Sequence, residues 1–249
     1  MAVRGKKARD KRPGAKRVVR PAAKAVKAKA ARRGRGKSAV GDVKRDLKAL
    51  YLPSEKDVAL VDVPEMSFLM VDGIGDPNTS KEFQDGVQAL YSLAYTLKFM
   101  LKKEGKHPDW KVPPLEGLWW TREEGGGFDY VAREKWRFRL MIMQPDHVTE
   151  EHVARAVAEI AARSIKSKEP VPAGLARVRF ERFREGPSVQ MMHVGPYRDE
   201  TPKIVRMHEH AKALGLPLRG HHHEIYLSDP RRVPESKWRT VIRQPVGEA

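Results

Sequence analysis

The chain has 249 residues, 33% of them charged, and a formal net charge of +17, enough length for one core or two fused halves behind a charged extension. It contains no cysteine, which excludes disulfides, thiolate catalysis and cysteine-based zinc sites. No run of about 18 apolar residues is present to span a bilayer, and the start of the chain lacks the apolar core of a secretory signal, so a soluble, cytoplasmic protein with no membrane contact is expected.

The first 40 residues hold 16 Lys or Arg and a single acid, Asp10, while the remainder is nearly neutral. The basic balance therefore belongs to this segment. Rich in Ala, Lys, Arg, Gly and Pro, it cannot bury enough apolar surface to offset its ordering entropy, and residues 1–41 are expected to be a disordered tail. Residues 1–40 could contact nucleic-acid phosphates without reading sequence, which would place the protein on the nucleoid; a solubilising extension is the alternative.

From Met66 the pattern changes to short β-like runs bounded by Gly or Pro: MSFLMVDGIG (66–75), LEGLWW (115–120) and KWRFRLMIMQP (135–145). A helix between the first two is expected to open on the capping-box spacing of Thr79 and Glu82. It carries a stripe of Phe83, Val87, Leu90, Tyr91, Ala94, Leu97 and Leu101, and ends near Gly105. A connecting helix over about 149–166, capped by Thr149, follows. The order then recurs as VRFERF (178–183), SVQMMHVGPY (188–197), a helix from Thr201-Pro202 to about Leu214, HHEIYLSDP (222–230) and KWRTVIRQP (237–245). Lys135-Trp136-Arg137 with Gln144-Pro145 answers Lys237-Trp238-Arg239 with Gln244-Pro245, and Glu116 is aligned with Glu224. An α+β fold is expected for residues 42–249: two strand-helix-strand-strand modules, about 60–147 and 176–246, related by a pseudo-twofold axis with a ligand cleft between them.

Several residues could line that cleft. Trp119 and Trp120 are adjacent, so in a strand they point to opposite faces. Glu224 shares a strand face with Tyr226, which sets a carboxylate beside a phenol; on a cleft wall it could act as a base or bind a cation, and on an outer wall it is a surface acid. Tyr91 and Tyr95 lie on one helical face, with Tyr95 at the stripe's edge. Tyr130, in a Gly-rich loop after Glu123-Glu124, could be a mobile wall of the pocket or a solvated loop aromatic. His221-His222-His223 cannot all reach one ion from a regular strand, so packing or hydrogen bonding is expected for them, and no metal site. Met66, Met70, Met141, Met143, Met191 and Met192 suit a core, or a pocket that adapts to several ligands.

PLEGLWW (114–120), LYSLAYTLK (90–98), QMMHVGPYRDE (190–200) and HHEIYLSDPRR (222–232), with the KWR…QP strand ends, resemble the GyrI-like small-molecule-binding superfamily, and most of all its cyclopropanoid cyclopropyl hydrolase branch. The resemblance implies a pseudo-dimer of two modules around a cleft for planar aromatic or cationic molecules, and hydrolysis of cyclopropane-bearing DNA alkylators by water addition without any cofactor. It places the cleft glutamate on Glu224 and the catalytic tyrosine on Tyr95. Tyr91, Glu116, Trp119 or Trp120, Tyr130, Tyr197 and Tyr226 are then the further ligand-binding candidates. A non-catalytic module that sequesters planar cations is the alternative.

Overall fold

The computed structural model describes residues 47–121 and 133–247. The chain divides into two units, Met1–Ser38 and Ala39–Ala249, and all described residues belong to the second. Its elements are α1 (Lys48–Tyr51), β1 (Ala59–Ile74), α2 (Lys81–Glu104), β2 (Leu115–Trp120), β3 (Arg137–Gln144), α3 (Glu150–Ser167), β4 (Arg179–Val194), α4 (Thr201–Ala213), β5 (His222–Tyr226) and β6 (Arg239–Pro245). Tyr130 falls outside the described residues.

The six strands close into an antiparallel barrel in the order β1-β3-β2-β5-β6-β4. Sequence patterning suggested separate short runs, with breaks before Met66 and at Gly186-Pro187. Instead β1 and β4 are each 16 residues long and pair with one another from Ala59↔Gln190 to Met70↔Arg179. Turn residues do not end these strands because the partner supplies a ladder across them. Gly186, at φ 73, takes up the local irregularity opposite Val63.

Barrel closure gives every strand an inner and an outer face. Met66, Phe68, Met70, Leu118 and Met141 pack inside with Leu50 of α1, and Met192, Ile225 and Val241 extend the same layer. On the outer face, α2 covers β1 and β3 and packs against α3, while α4 covers β4 and β6. The expected α2 stripe is its packed face: Leu90, Ala94, Leu97 and Leu101 are buried, with Phe83, Val87 and Tyr91 at its margin.

Helix ends correct one expectation. The N-cap of α2 is Ser80 rather than Thr79: the Ser80 hydroxyl accepts from Phe83 N–H at 3.3 Å and donates to Ile74 O at 3.0 Å, and Glu82 accepts from Ile74 N–H. The cap that also ties the helix to the end of β1 is the one adopted. Thr149 caps α3 as expected, with His152 completing the box, and Gly105 ends α2 at φ 68. Among the described residues no helix is long and apolar enough to cross a membrane.

Candidate functional site

β2 and β5 pair at the middle of the strand order, flanked by β3 and β6, and on their outer face Trp119 stacks on Phe83 of α2 while Leu115 and Tyr226 join the layer packed beneath that helix. Alternation along β5 sends His222, Glu224 and Tyr226 to that outer face and His223 and Ile225 inward. Opposite them, Gly117 faces Glu224, Trp119 faces His222 and Leu115 faces Tyr226. The Tyr226 hydroxyl donates to Glu224 Oε2 at 2.8 Å and accepts from Trp119 Nε1 at 3.0 Å. His222 Nε2 lies 3.4 Å from Glu224 Oε1. A carboxylate thus stands at the end of an oriented indole–phenol chain.

The turn before α4 supplies the second wall. Tyr197 meets the Tyr226 ring edge to face at 5.6 Å and the Trp238 ring at 4.8 Å. Three residues on, Glu200 is only 3% exposed, contacts Glu224 and lies beside Thr240 of β6. Burial first, and then the Glu224 charge, push the Glu200 carboxyl well above the usual carboxylate range. The same two causes raise the Tyr226 and Tyr197 phenols. Glu200 is therefore a buried carboxyl whose charged form is disfavoured, next to the Glu224 side chain that accepts a hydrogen bond from a phenol.

The other candidates are spread over three places. Trp119 and Trp120 do point to opposite faces: Trp119 packs with Phe83, Trp136 and Phe138 on the outer face, and Trp120 stacks on His221 at 4.3 Å. The Tyr91 phenol bonds to the Leu115 backbone, next to the recess. Tyr95 is 46% exposed and stacks between Tyr91 and Phe99. It lines a separate groove of about 340 Å³ with Glu159 and Arg163, and takes no part in the hydrogen bonds around Glu224.

Glu116 requires a correction. Matching the KWR strand starts sets Met141 equivalent to Arg243; Glu116 pairs with Met141, whereas His223, not Glu224, pairs with Arg243. A register one residue away from the sequence alignment puts Glu116 on the opposite face from Glu224. Glu116 is fully buried inside the barrel, where it accepts from the Tyr51 hydroxyl at 2.6 Å. His223 Nε2 lies 3.1 Å from its other oxygen, close enough for charge attraction though poorly aligned for a hydrogen bond. His223 Nδ1 sits 3.0 Å from Glu185, which also accepts from Arg243 at 2.9 Å, and Arg243 donates onward to Gln190 and to Leu50 O. Although burial opposes it, Glu185 holds the His223 imidazolium up to about 9, while His223 and Arg243 hold Glu185 down to about 2. Sequence reasoning did not reach this network: its members are isolated polar letters in apolar strands, and only barrel closure brings them together. The one available signal was His223, for which a hydrogen-bonded role was expected.

Among the described residues no group of three or more metal-ligating side chains is placed to hold an ion. Glu200 was also missed, because PYRDE reads as a helix start.

A closed α+β barrel with a carboxylate and aromatic rings grouped on the outer face of β2 and β5 fits a small-molecule-binding protein. The chain belongs to the GyrI-like family: residues 56–246 match the GyrI-like small molecule binding domain. It is similar to the crystal structure of an uncharacterized conserved protein from Listeria innocua, at 41% identity over 82% of this chain and 98% of that one, with a TM-score of 0.72. Two structures of hydrolases from the same organism are 39% and 41% identical over the same shares, with TM-scores of 0.68 and 0.70. No match was found among curated proteins.

Proposed function

We propose that the recess binds planar small molecules and hydrolyses a strained, electrophilic cyclopropane of the kind carried by DNA-alkylating compounds. The observation that carries this reading is the Glu224 carboxylate, hydrogen-bonded by Tyr226 and adjoining the buried Glu200 carboxyl. The two related Listeria structures described as hydrolases support it. In the proposed reaction Glu224 takes a proton from water as the oxygen bonds to the cyclopropane methylene. The ring C–C bond breaks, its electron pair moves into the conjugated dienone, and the carbonyl oxygen becomes a phenol with the Glu200 proton. The Glu224–Glu200 contact then returns the proton, so acid and base are both restored. The half-exposed Tyr197 ring offers a flat face, and the phenol nearest the base is Tyr226 rather than Tyr95. The repeated order of the strands, and Gly75 and Gly195, whose N–H groups donate to Trp136 O and Trp238 O, support a pseudo-twofold relation of two modules flanking this recess.

The test is to incubate the protein with a cyclopropane-bearing alkylator and follow the ring-opened product by chromatography. Glu224→Gln should abolish protein-dependent product while retaining binding; no product from the native chain refutes the hydrolase reading. The second reading, sequestration of planar cations without chemistry, is favoured by the same buried acids, and it predicts that the ligand is recovered unchanged.

A further inference from the structure

The outer side of α2 carries three aromatic rings at four-residue spacing, Tyr91, Tyr95 and Phe99, stacked one on the next with centroids 6.2 Å apart. Residues four apart share a helical face, so the stripe runs about 12 Å along the axis. It leaves the core as it runs: Tyr91 is half-buried, whereas Tyr95 and Phe99 are 46% and 59% exposed. The rings form one wall of the groove of about 340 Å³ between α2 and α3. A small ligand is held by enclosure, which these open rings do not give; adjacent large rings in solvent mark a surface that a protein covers.

The other wall is α3. Of the side chains lining the groove only Glu159 and Arg163 are charged. They stand about one turn apart with opposite sign and do not pair with each other. Among the described residues Glu159 makes no ion pair or hydrogen bond, and Arg163 donates only to the Thr96 hydroxyl, at 3.3 Å. The neighbouring bases are engaged within the chain, Lys98 and Lys102 by Asp109 and Arg155 by Glu104.

An unpaired acid and an unpaired base one turn apart are complementary to themselves. A two-fold rotation that lays a second copy over the groove brings each Glu159 against the partner's Arg163, and the axis then crosses α3 near Ala161. Thr96 lies beside Arg163 and Glu104 beside Arg155, so α2 runs antiparallel to α3 and the same axis crosses it near Lys98. Phe99, the most exposed of the three rings, falls beside the axis and meets its own counterpart.

We propose that the α2–α3 groove is the interface of a two-fold dimer of this chain, with Phe99 packed on the partner's Phe99 and Glu159 paired with the partner's Arg163 in both directions. This does not depend on what the recess around Glu224 binds. A groove of this size suits an exchanging dimer with micromolar affinity rather than an obligate one.

Sedimentation velocity of the full chain over about 1–200 μM tests this, in about 0.15 M salt to screen the net charge of each copy beyond about 8 Å. The native chain should pass from monomer to dimer with no larger species, since a two-fold contact closes on itself. Glu159→Arg and Arg163→Glu should each weaken self-association at least tenfold, because like charges then face each other. Mixed one to one, the two single variants should dimerise about as well as the native chain, one presenting two bases and the other two acids; the double variant with both changes should do the same alone. Phe99→Ser should weaken the native dimer at least tenfold without lowering the melting temperature. Should a single variant fail to fold, the double variant and Phe99→Ser decide in the same way. A native chain still monomeric at about 200 μM refutes the interface, and so does a dimer that the charge variants and Phe99→Ser leave intact. If the native chain is monomeric and Phe99→Ser instead weakens its binding of acridone, a neutral planar molecule, the groove holds a small molecule and the dimer is refuted.

Discussion

Gly117 sits where two strands bring an indole and a phenol together. A Cβ there would lie 2.8 Å from Trp119 Nε1 and 3.3 Å from the Tyr226 hydroxyl, so any side chain must push the indole out of its hydrogen bond. Gly117→Ala should therefore weaken the binding of a planar small molecule such as acridone about tenfold and shift tryptophan fluorescence, at a stability cost of about 1–3 kcal/mol. The two phenols separate in the same way. Tyr226→Phe leaves Trp119 Nε1 without its acceptor and Glu224 without its donor, and turnover in the ring-opening assay should fall at least tenfold. Tyr95→Phe, on an exposed ring outside these bonds, should leave turnover within about twofold; the opposite ranking would return the catalytic role to Tyr95.

At the scale of elements, the interior ion network ties α1 and four strands together through Tyr51, Glu116, Glu185, His223 and Arg243. His223 is held up to about 9 in the folded barrel, against an ordinary value of 6.5. Its stabilisation is fully present below about pH 6.5 and is lost as pH rises through about 9, on the order of 3 kcal/mol at most. Glu185 is held down to about 2 from 4.5, so its contribution is present above about 4.5 and is lost as pH falls toward 2. Thermal melts should accordingly show greatest stability between about pH 4.5 and 6.5. His223→Gln should cost about 3–5 kcal/mol, because it removes the buried cation between the two acids and leaves Glu185 with Arg243 alone and Glu116 with the Tyr51 hydroxyl, and should flatten the decline on the basic side. A basic-side slope unchanged in that variant would show that the imidazolium is not its source.

For the whole molecule, the neutral body and the basic first 40 residues invite separate partners. We propose that the tail holds the protein on nucleic acid, where alkylators act. The full chain should retard DNA at low salt, with affinity falling steeply as salt rises and with little sequence preference. A truncated chain beginning at Gly41 should not; equal binding by both would assign the contact to the folded body.

Much of the architecture was legible because burial writes periodicity into sequence: the α2 stripe, the Thr149 cap of α3, the LEGLWW strand and the opposite facing of Trp119 and Trp120 all follow from local spacing. Glu224 beside Tyr226 was legible for the same reason, since alternate strand residues share a face. What lies across the chain was not. The full length of β1 and β4, the register that carries Glu116 inward, the placing of Glu200 against Glu224 and the distance of Tyr95 from both were decided by strand pairing and barrel closure. Local pattern specifies which way a side chain points relative to its neighbours; which charge it meets depends on contacts between residues far apart in sequence, and a one-residue change of register exchanges the two faces of a strand.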